Sequence, residues 1–358
     1  GICTAVAVGL VVSLLARGLC PFFGRTAQEL ARAALLRLDY DRLFAGPAVP
    51  LGEGRNAPGA ATMERLLLGK PRAEPKRLLR VVTWNLLCPE HNRTAGGGRE
   101  SADARAWRRR LQEQLRLLVQ LRADVVLLQE WWHASPAYVD TWLRWADERR
   151  MSLFVSPRTG ARPDACAILL AENVGIRDVN FTTLSMDDWG DRVIQVVRFR
   201  TVGGTSWAVA NTHLSFPHGG ELHAAMRRNQ GRKLRDVLLS LKVSAEAVVL
   251  GGDFNGAPQD PVVQTVAQGA GLALQHVDEA THRDHRGRLI SCDFILSHGL
   301  RPLGRSLEGP AGCLAQAGHF CSDHRPLLAL VAPAARSARG PPGGARSASW
   351  VRGVTRKK

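Results

Sequence analysis

The stretch Gly251-Gly252-Asp253-Phe254-Asn255-Gly256 follows an apolar run at residues 247–250 and gives the first indication of the fold. A buried strand that ends in a carboxylate delivers that group to one edge of a sheet, where it can bind a cation. A lone Gly-Asp-Phe-Asn sequence is more often a turn that uses the backbone freedom of Gly and Asn. Its companions along the chain therefore decide how the stretch is interpreted.

Four other short polar segments occur in order along the chain. They are Trp84-Asn85, Gln129-Glu130, Asn211-Thr212-His213-Leu214 and Ser322-Asp323-His324. The first three end hydrophobic runs, whereas the last precedes one. Strands of this kind bring oxygen and imidazole groups to one rim of a sheet, where they can hold a hard divalent cation and a phosphate. Each segment alone carries little weight, but the ordered set predicts a metal and phosphate site.

The hydrophobic pattern between residues 80 and 330 predicts alternating strands and helices. Helices are predicted at 101–121, 221–241 and 260–268, the first from apolar residues spaced three and four apart. Strands are predicted at 80–86, 124–128, 165–170, 192–200, 207–211, 247–250, 292–296 and 327–331. The mixture favours two packed sheets with helices outside, as one domain at 80–331.

The formal charge of +16 is concentrated outside this predicted domain. Residues 80–330 contain 30 Lys and Arg against 26 Asp and Glu, so the excess is no evidence for a basic binding face. The seven cysteines include no CxxC pair. This pattern favours an intracellular environment, cytoplasmic or organellar (chloroplast or mitochondrion).

Three further segments complete the predicted organisation. Residues 1–45 are apolar and rich in Arg, and we expect a targeting peptide or a non-specific apolar start; a membrane anchor, with membrane contact through the N-terminus, is less favoured. Residues 46–79 are predicted to be a linker, and 332–358 a disordered basic tail. We expect a monomer.

Individual residues in the polar segments suit distinct chemical roles. Glu130 closes an apolar strand, and a carboxylate there is too costly to leave unpaired, so it is the best single metal ligand. Asn85 adds an amide oxygen beside the ion. Asp253 and Asn255 are two apart on a segment predicted to be extended, so their side chains face the same side. They suit a base and an amide that jointly hold one water.

The histidines are suited to contact a phosphate. His324 follows Asp323, and Asp293 lies on a neighbouring predicted strand. An imidazole paired with a carboxylate can stay protonated and donate to a phosphoryl oxygen. His213 can contact the same phosphate from another strand.

Three other basic residues are candidates for substrate binding. Arg192 begins a predicted strand and is interpreted either as a phosphate ligand or as part of an ion pair at the rim. His285 and Arg286 belong to the segment 281–288, which precedes the Asp293 strand. This loop either overhangs the site, with Arg286 on a phosphate, or is a solvated basic loop.

The ordered set resembles the endonuclease/exonuclease/phosphatase superfamily, which includes deoxyribonuclease I, and the resemblance covers about 80–331. It implies a four-layered α/β-sandwich of two mixed sheets flanked by helices, and Mg²⁺ as cofactor with Mn²⁺ as a substitute. By resemblance, the metal residues are Asn85, Glu130 and Asp323, the water-activating residues are Asp253 and Asn255, and the phosphate residues are His213, Asp293 and His324.

Two narrower resemblances exist within this superfamily. Asp164-Ala165-Cys166-Ala167-Ile168 is similar to the Asp-Gly-Cys-Ala-Ile strand of carbon-catabolite-repressor-type deadenylases, which are relatives of nocturnin, with Ala165 in place of Gly. Segments 190–193, 211–218 and 282–287 are more similar to an uncharacterised plant and algal branch. The resemblance implies a Mg-dependent phosphodiester hydrolase acting on RNA or another nucleotide-bearing substrate. The alternatives are a phosphoesterase on a lipid or inositol phosphate, and a non-catalytic binding module.

Overall fold

A computed structural model describes residues 78–94, 96–284, 286–308 and 321–334. The predicted N-terminal segment 1–45 lies outside these residues, as do nearly all of the predicted linker and most of the predicted tail. The first strand begins at Leu79 and the last ends at Pro333, so the described strands extend one and two residues beyond the predicted domain bounds. None of the described helices is long and apolar enough to cross a membrane.

The described residues form four α-helices and fourteen strands. The helices are α1 (Ala104–Leu121), α2 (Pro136–Glu148), α3 (Glu221–Ser244) and α4 (Pro261–Ala270). The strands are β1 (Leu79–Asn85), β2 (Val125–Trp132), β3 (Met151–Pro157), β4 (Asp164–Ala171), β5 (Ile176–Ser185), β6 (Val193–Thr201), β7 (Ser206–His213), β8 (Ala247–Asp253), β9 (Ala273–Gln275), β10 (His282–Arg283), β11 (Leu289–Ile290), β12 (Asp293–His298), β13 (Leu300–Leu307) and β14 (Leu327–Pro333). Short 3-10 helices lie at Glu100–Ala102 and Glu172–Val174.

The strands form two mixed six-stranded sheets and a small hairpin. Sheet one has the order β13-β14-β1-β2-β4-β3, and sheet two has the order β5-β6-β7-β8-β12-β9. β1 and β2 are parallel, as are β7 and β8, so their carboxyl ends meet at the same rim of the molecule. The remaining pairs are antiparallel, and β10 pairs with β11.

Alternation along the strands divides the core into three apolar layers. On β2, Val125 and Leu127 face sheet two, whereas Val126 and Leu128 pack under α1 and α2. The outer face of sheet two packs against α3 and α4. The predicted four-layered α/β-sandwich with two packed mixed sheets is therefore confirmed.

Most of the elements predicted from periodicity form at nearly the predicted positions. The predicted helix at 101–121 begins with a 3-10 turn, and Asp103 then caps α1 by accepting from the backbone N–H groups of Arg105 and Ala106. Four longer elements had not been predicted: α2, β3, β5 and β13. α2 carries a helix-start signal that could have identified it, since Ser135 caps it and Pro136 follows. β5 is largely exposed and lacks the apolar run of a buried strand.

The two glycines that precede Asp253 allow close backbone approach at the rim. A Cβ on Gly251 would lie 2.4 Å from Leu127 Cδ1 of sheet one, and a Cβ on Gly252 would lie 2.3 Å from the backbone oxygen of Thr212 on β7. A backbone oxygen cannot move aside as a flexible side chain can. The glycines are therefore required by packing immediately before Asp253.

We predict that Gly252→Ala destabilises the fold, because the added methyl group overlaps a backbone atom in a fully buried strand. Overpacking of this kind costs about 1–3 kcal/mol. Gly219→Ala is the matched control, since a Cβ there meets nothing within 4 Å. Urea unfolding of the two variants gives the comparison. Equal free energies of unfolding for Gly252→Ala and the unsubstituted protein would contradict the packing argument.

Candidate active site

Asp253 lies at the end of β8, where the two sheets meet. Its Oδ2 accepts a hydrogen bond of 3.0 Å from Asn85 Nδ2 at the end of β1, and the residue is only 1% exposed. His213 Nε2 and His324 Nε2 lie 3.5 Å and 3.6 Å from the same oxygen. Burial raises the pKa of Asp253 to about 6. A carboxylate with this pKa can accept a proton near neutral pH.

Glu130 reaches the site through an irregularity in β2 rather than at the end of the strand. The pairing of β2 with β4 shifts between Leu128 and Trp131, and Glu130 has a φ of 54°. β2 continues to Trp132, so the expectation that the strand closes at Glu130 was wrong. The bulge places the Glu130 carboxylate beside Asn85, with Oε1 3.3 Å from Asn85 Nδ2.

His91 is a further member of the site. Its Nδ1 lies 3.0 Å from Glu130 Oε2, which also accepts from the backbone N–H of Cys88, and its Nε2 lies 3.7 Å from Asp164 Oδ1. Burial opposes ionisation of Glu130, but the hydrogen bond and charge of His91 hold the pKa of Glu130 well below its usual range. His91 lies in a loop and ends no apolar run, so the sequence pattern gave no signal for it.

His324 is held as a cation by the carboxylates around it. Its Nδ1 donates to Asp293 Oδ2 at 2.9 Å, and Thr281 Oγ1 donates to the same oxygen at 2.6 Å. Burial opposes protonation, but the charges of Asp293 and Asp253 outweigh it and raise the pKa of His324 to about 10. The Nε2–H of the imidazolium can therefore donate to a phosphoryl oxygen.

Several neighbours fix the position of His324. The His282 ring stacks on it with centroids 3.9 Å apart. Burial, then the charge of His324, lowers the pKa of His282 to about 3, so His282 packs against the cation as a neutral ring. Trp84 Nε1 donates to the His324 carbonyl at 2.9 Å, and Ser322 Oγ accepts from its backbone N–H while donating to the Asn85 carbonyl. Sequence patterns did not reveal these supporting contacts, because they join distant segments.

Asn255 and His213 meet beside Asp253. Asn255 Nδ2 lies 3.0 Å from His213 Nε2 and donates to the Leu214 carbonyl at 2.9 Å. Burial, then the charge of Arg192, holds the pKa of His213 well below its usual range, so the ring is neutral. The expectation of an extended segment was wrong, because Asn255 has a φ of 48° and its N–H donates to Asp253 Oδ1 in a turn. The turn still brings both side chains to His213.

The oxygen donors at this rim fit a divalent cation. The carboxylates of Glu130 and Asp253 lie on either side of Asn85 Nδ2, while Asn85 Oδ1 accepts from the backbone N–H of Leu87. Carboxylate oxygens are donors that hard cations prefer. Ligand atoms of Asp253, Cys292, Asp293 and His324 lie within 4.8 Å of one another, as do those of His282, Asp323 and His324. Asp323 is 37% exposed, with its Oδ2 3.9 Å from His282 Nδ1. Glu130 and Asp323 would offer carboxylate oxygens to such a cation, whereas Asn85 would have to turn its amide to offer Oδ1, so the predicted metal set of Asn85, Glu130 and Asp323 stays a prediction.

The three candidates for substrate binding are placed differently. Arg192 directly precedes β6. Its positive charge helps burial to lower the pKa of His213, and the negative charge of Asp253 acts to raise the pKa of Arg192. Arg286 is exposed between β10 and β11, and its backbone N–H donates to Asp284. His285 lies outside the described residues. Arg288, from the same loop, lines the pocket beside the site.

This pocket adjoins Asn255 and has a volume of about 590 Å³. Its lining includes Phe216, His276, His282, Arg288 and Leu289. The volume lies within the usual range for small-molecule sites, and the lining combines rings with charged and polar groups. By contrast Trp131 and Trp132 pack in the core with Trp107 and Tyr138, so they do not line the site.

Residues 82–324 match the endonuclease/exonuclease/phosphatase family, a region that includes every residue of the site described above. The chain belongs to this family. The predicted superfamily is therefore confirmed.

The relatives also confirm the predicted placement within the family. An uncharacterized calcium-binding protein of Arabidopsis thaliana is 28% identical over 241 residues, which is 60% of this chain and 49% of that protein. Nocturnin of Drosophila melanogaster is 29% identical over 206 residues, 52% of this chain and 30% of that protein. The chain thus spans less than half the length of these two relatives.

A solved structure shares the fold. The structure of ANGEL2, a 2′,3′-cyclic phosphatase, in complex with adenosine-2′,3′-vanadate has a TM-score of 0.56 and 20% sequence identity. The match covers 72% of this chain and 96% of the ANGEL2 chain. At this identity the likeness supports the architecture, and the roles of individual side chains rest on the geometry described above.

We predict that Asp293→Asn moves the alkaline limb of the pH profile of kcat/KM to lower pH. The carboxylate of Asp293 helps to keep His324 protonated up to a pKa of about 10, so its removal lets the imidazolium lose its proton earlier. A shift of about one pH unit or more is expected from the loss of one adjacent charge. Asp236→Asn, an exposed acid on α3, is the control. A uniform loss of activity with an unchanged profile would contradict this role.

Proposed function

We propose that this chain is a Mg²⁺-dependent hydrolase of phosphodiester bonds that acts on RNA or another nucleotide-bearing substrate. The proposal rests on two buried side chains that lie next to each other, one able to accept a proton and the other able to donate a hydrogen bond as a cation. Asp253 is a carboxylate whose pKa burial raises to about 6, and His324 is an imidazolium whose ring nitrogen lies 3.6 Å from it. A base and a cationic donor thus face the same small space.

Asp253 acts as the general base. Its Oδ1 is held by the backbone N–H of Asn255, which leaves Oδ2 directed toward Asn85 and the two histidines. A water in this space donates its proton to Oδ2 as its oxygen attacks phosphorus. The P–O bond to the leaving oxygen breaks as the new P–O bond forms, and the leaving alkoxide takes a proton from solvent. The neutral His213 and the Asn255 amide orient that water, since neither group competes for the proton.

His324 stabilises the negative charge that develops on phosphorus. Its Nδ1–H is engaged by Asp293, so its Nε2–H points to the site and donates to a nonbridging phosphoryl oxygen. The stacked His282 ring keeps the imidazolium in this orientation. When bound, Mg²⁺ supplies further neutralisation of the phosphate charge beside Asn85 and Glu130.

The pocket beside Asn255 supports a nucleotide as substrate. It is large enough for a nucleoside, and Phe216 and His276 offer rings against which a base can pack. The ANGEL2 structure holds an adenosine-derived group, which supports the same chemical class here. RNA and its fragments provide both a phosphodiester for Asp253 and a nucleoside for this pocket.

We predict that Asp253→Asn lowers Mg²⁺-dependent hydrolysis of an RNA oligonucleotide by about 10²- to 10⁴-fold, the usual contribution of a general base. The amide keeps the size of the side chain and can still accept from Asn85, so the fold should persist. Turnover is measured with Mg²⁺ and after chelation. Asp236→Asn is the charge-matched control on the exposed side of α3. Unchanged turnover in Asp253→Asn would overturn the assignment of the base.

We also predict a substrate order that distinguishes nucleotides from lipids. The full chain with Mg²⁺ is assayed on poly(A), mixed-sequence RNA, DNA, 2′,3′-cyclic nucleotides, sphingomyelin and inositol polyphosphates. Hydrolysis of RNA or a nucleotide is expected, because the pocket offers rings and polar groups for a base. Activity confined to sphingomyelin or inositol phosphates would overturn the proposed substrate class, and binding without turnover of any substrate would indicate a non-catalytic module.

A further inference from the structure

Arg192 has two guanidinium nitrogen atoms that the described residues leave without a hydrogen-bonding partner. Its Nε and Nη1 atoms are buried, and neither makes a hydrogen bond within the described part of the chain. Buried polar groups are normally paired, and a guanidinium has five N–H donors in a rigid fork. An unsatisfied guanidinium at the rim of an active site therefore indicates a ligand that the protein alone does not supply.

The neighbouring arginines differ from Arg192 because each has a carboxylate partner. Arg158 Nη1 lies 3.0 Å from Asp164 Oδ1, and Arg158 Nη2 donates to the Gly190 carbonyl at 2.8 Å. Arg162 Nε lies 2.8 Å from Asp191 Oδ2. These contacts stabilise the turn that precedes Arg192. The cluster of three arginines and two aspartates thus retains one positive charge, and that charge is on Arg192.

The local charges confirm that Arg192 lacks a matching anion. Burial, followed by the charge of Arg158, lowers the pKa of Arg192 to about 10, although Asp164, Glu130 and Asp253 act in the opposite direction. The three acids therefore do not offset the cost of burying this guanidinium beside a second one. A dianionic or monoanionic phosphate bound between Arg158 and Arg192 would offset it.

The topology separates the backbone of Arg192 from that of Asp253. It lies two residues before Ile194, which pairs with Thr212 on β7, and β7 in turn pairs His213 with Asp253 on β8. Arg192 and Asp253 are thus two strand spacings apart, roughly 10 Å between backbones. Among the carboxylates, Asp164 on β4 raises the pKa of Arg192 more than Glu130 or Asp253 does. The guanidinium therefore belongs to the β4–β6 end of the rim, opposite the pocket beside Asn255.

We propose that Arg192, supported by Arg158, forms a subsite for a second phosphate of the substrate, on the opposite side of the scissile phosphate from the nucleoside pocket. The inference rests on the proposed function, because it assumes a phosphodiester between Asp253 and His324. Two sources carry the required group: the next internucleotide phosphate of an RNA chain, or a terminal phosphate on the same nucleotide. Either one gives the guanidinium an anion to which its unpaired N–H groups can donate.

The test is an equilibrium binding measurement with chelator present, so that no hydrolysis is needed. The full chain is titrated with a dinucleoside monophosphate, its 5′-phosphorylated form and a trinucleoside diphosphate. The second phosphate should tighten binding about tenfold to a hundredfold, the usual contribution of a charged hydrogen-bonded pair. Comparison of the two larger ligands distinguishes a terminal phosphate from an internucleotide one.

The second phosphate's effect is the ratio of the Kd of the dinucleoside monophosphate to the Kd of a ligand with two phosphates. The variant Arg192→Met, which keeps most of the side-chain volume, should reduce this ratio to near one, and Arg192→Lys should retain part of the effect. Arg198→Met, at an exposed position on β6, is the control and should leave the ratio unchanged. A ratio that Arg192→Met does not alter, or an equal loss of affinity for all three ligands, would overturn the proposal. Failure of the unsubstituted chain to hydrolyse any nucleotide would instead refute the proposed function, while the Kd ratio still decides the subsite.

Discussion

The close approach of the two sheets at the carboxyl end of β8 is the constraint on which the site depends. Gly251 faces Leu127 and Thr83 of sheet one, and no side chain fits between them. This approach brings Asn85 within 3.0 Å of Asp253, so the base hydrogen-bonds across the interface between the sheets. Burial that results from packing is also what raises the pKa of Asp253. The same contact therefore sets the position and the pKa of the Asp253 carboxyl group.

The two buried histidines at this rim have different neighbours, and these neighbours determine whether each ring carries a charge. His324 has Asp293 on its Nδ1 and becomes a cation, whereas His213 has no hydrogen-bond partner for Nδ1 in the described regions and lies near Arg192. Two imidazoles of the same intrinsic basicity are thus driven to opposite protonation states. One can donate to an oxyanion, and the other can accept from a water or an amide.

Strand-end residues were predictable from sequence because burial and alternation determine where such strands end. Asn85, His213 and Asp253 follow this rule, since each is the last residue of its strand. Glu130 was identified as a candidate, but its bulge depends on the pairing of β2 with β4, which no local pattern encodes. His91 and Thr281 gave no signal, because their roles arise only from contacts with Glu130 and Asp293 after folding.

The two ends of the rim differ in chemistry, and this difference constrains how a substrate can lie along it. At one end a pocket beside Asn255 offers rings and mixed polarity; at the other, Arg192 offers an unmatched positive charge. In the proposed binding mode, a neutral base at the Arg192 end would leave Nε and Nη1 of that guanidinium without hydrogen-bond partners. Because that arrangement would lose a charged hydrogen bond, the proposed subsite favours a substrate with its second phosphate at the Arg192 end and its nucleoside beside Asn255.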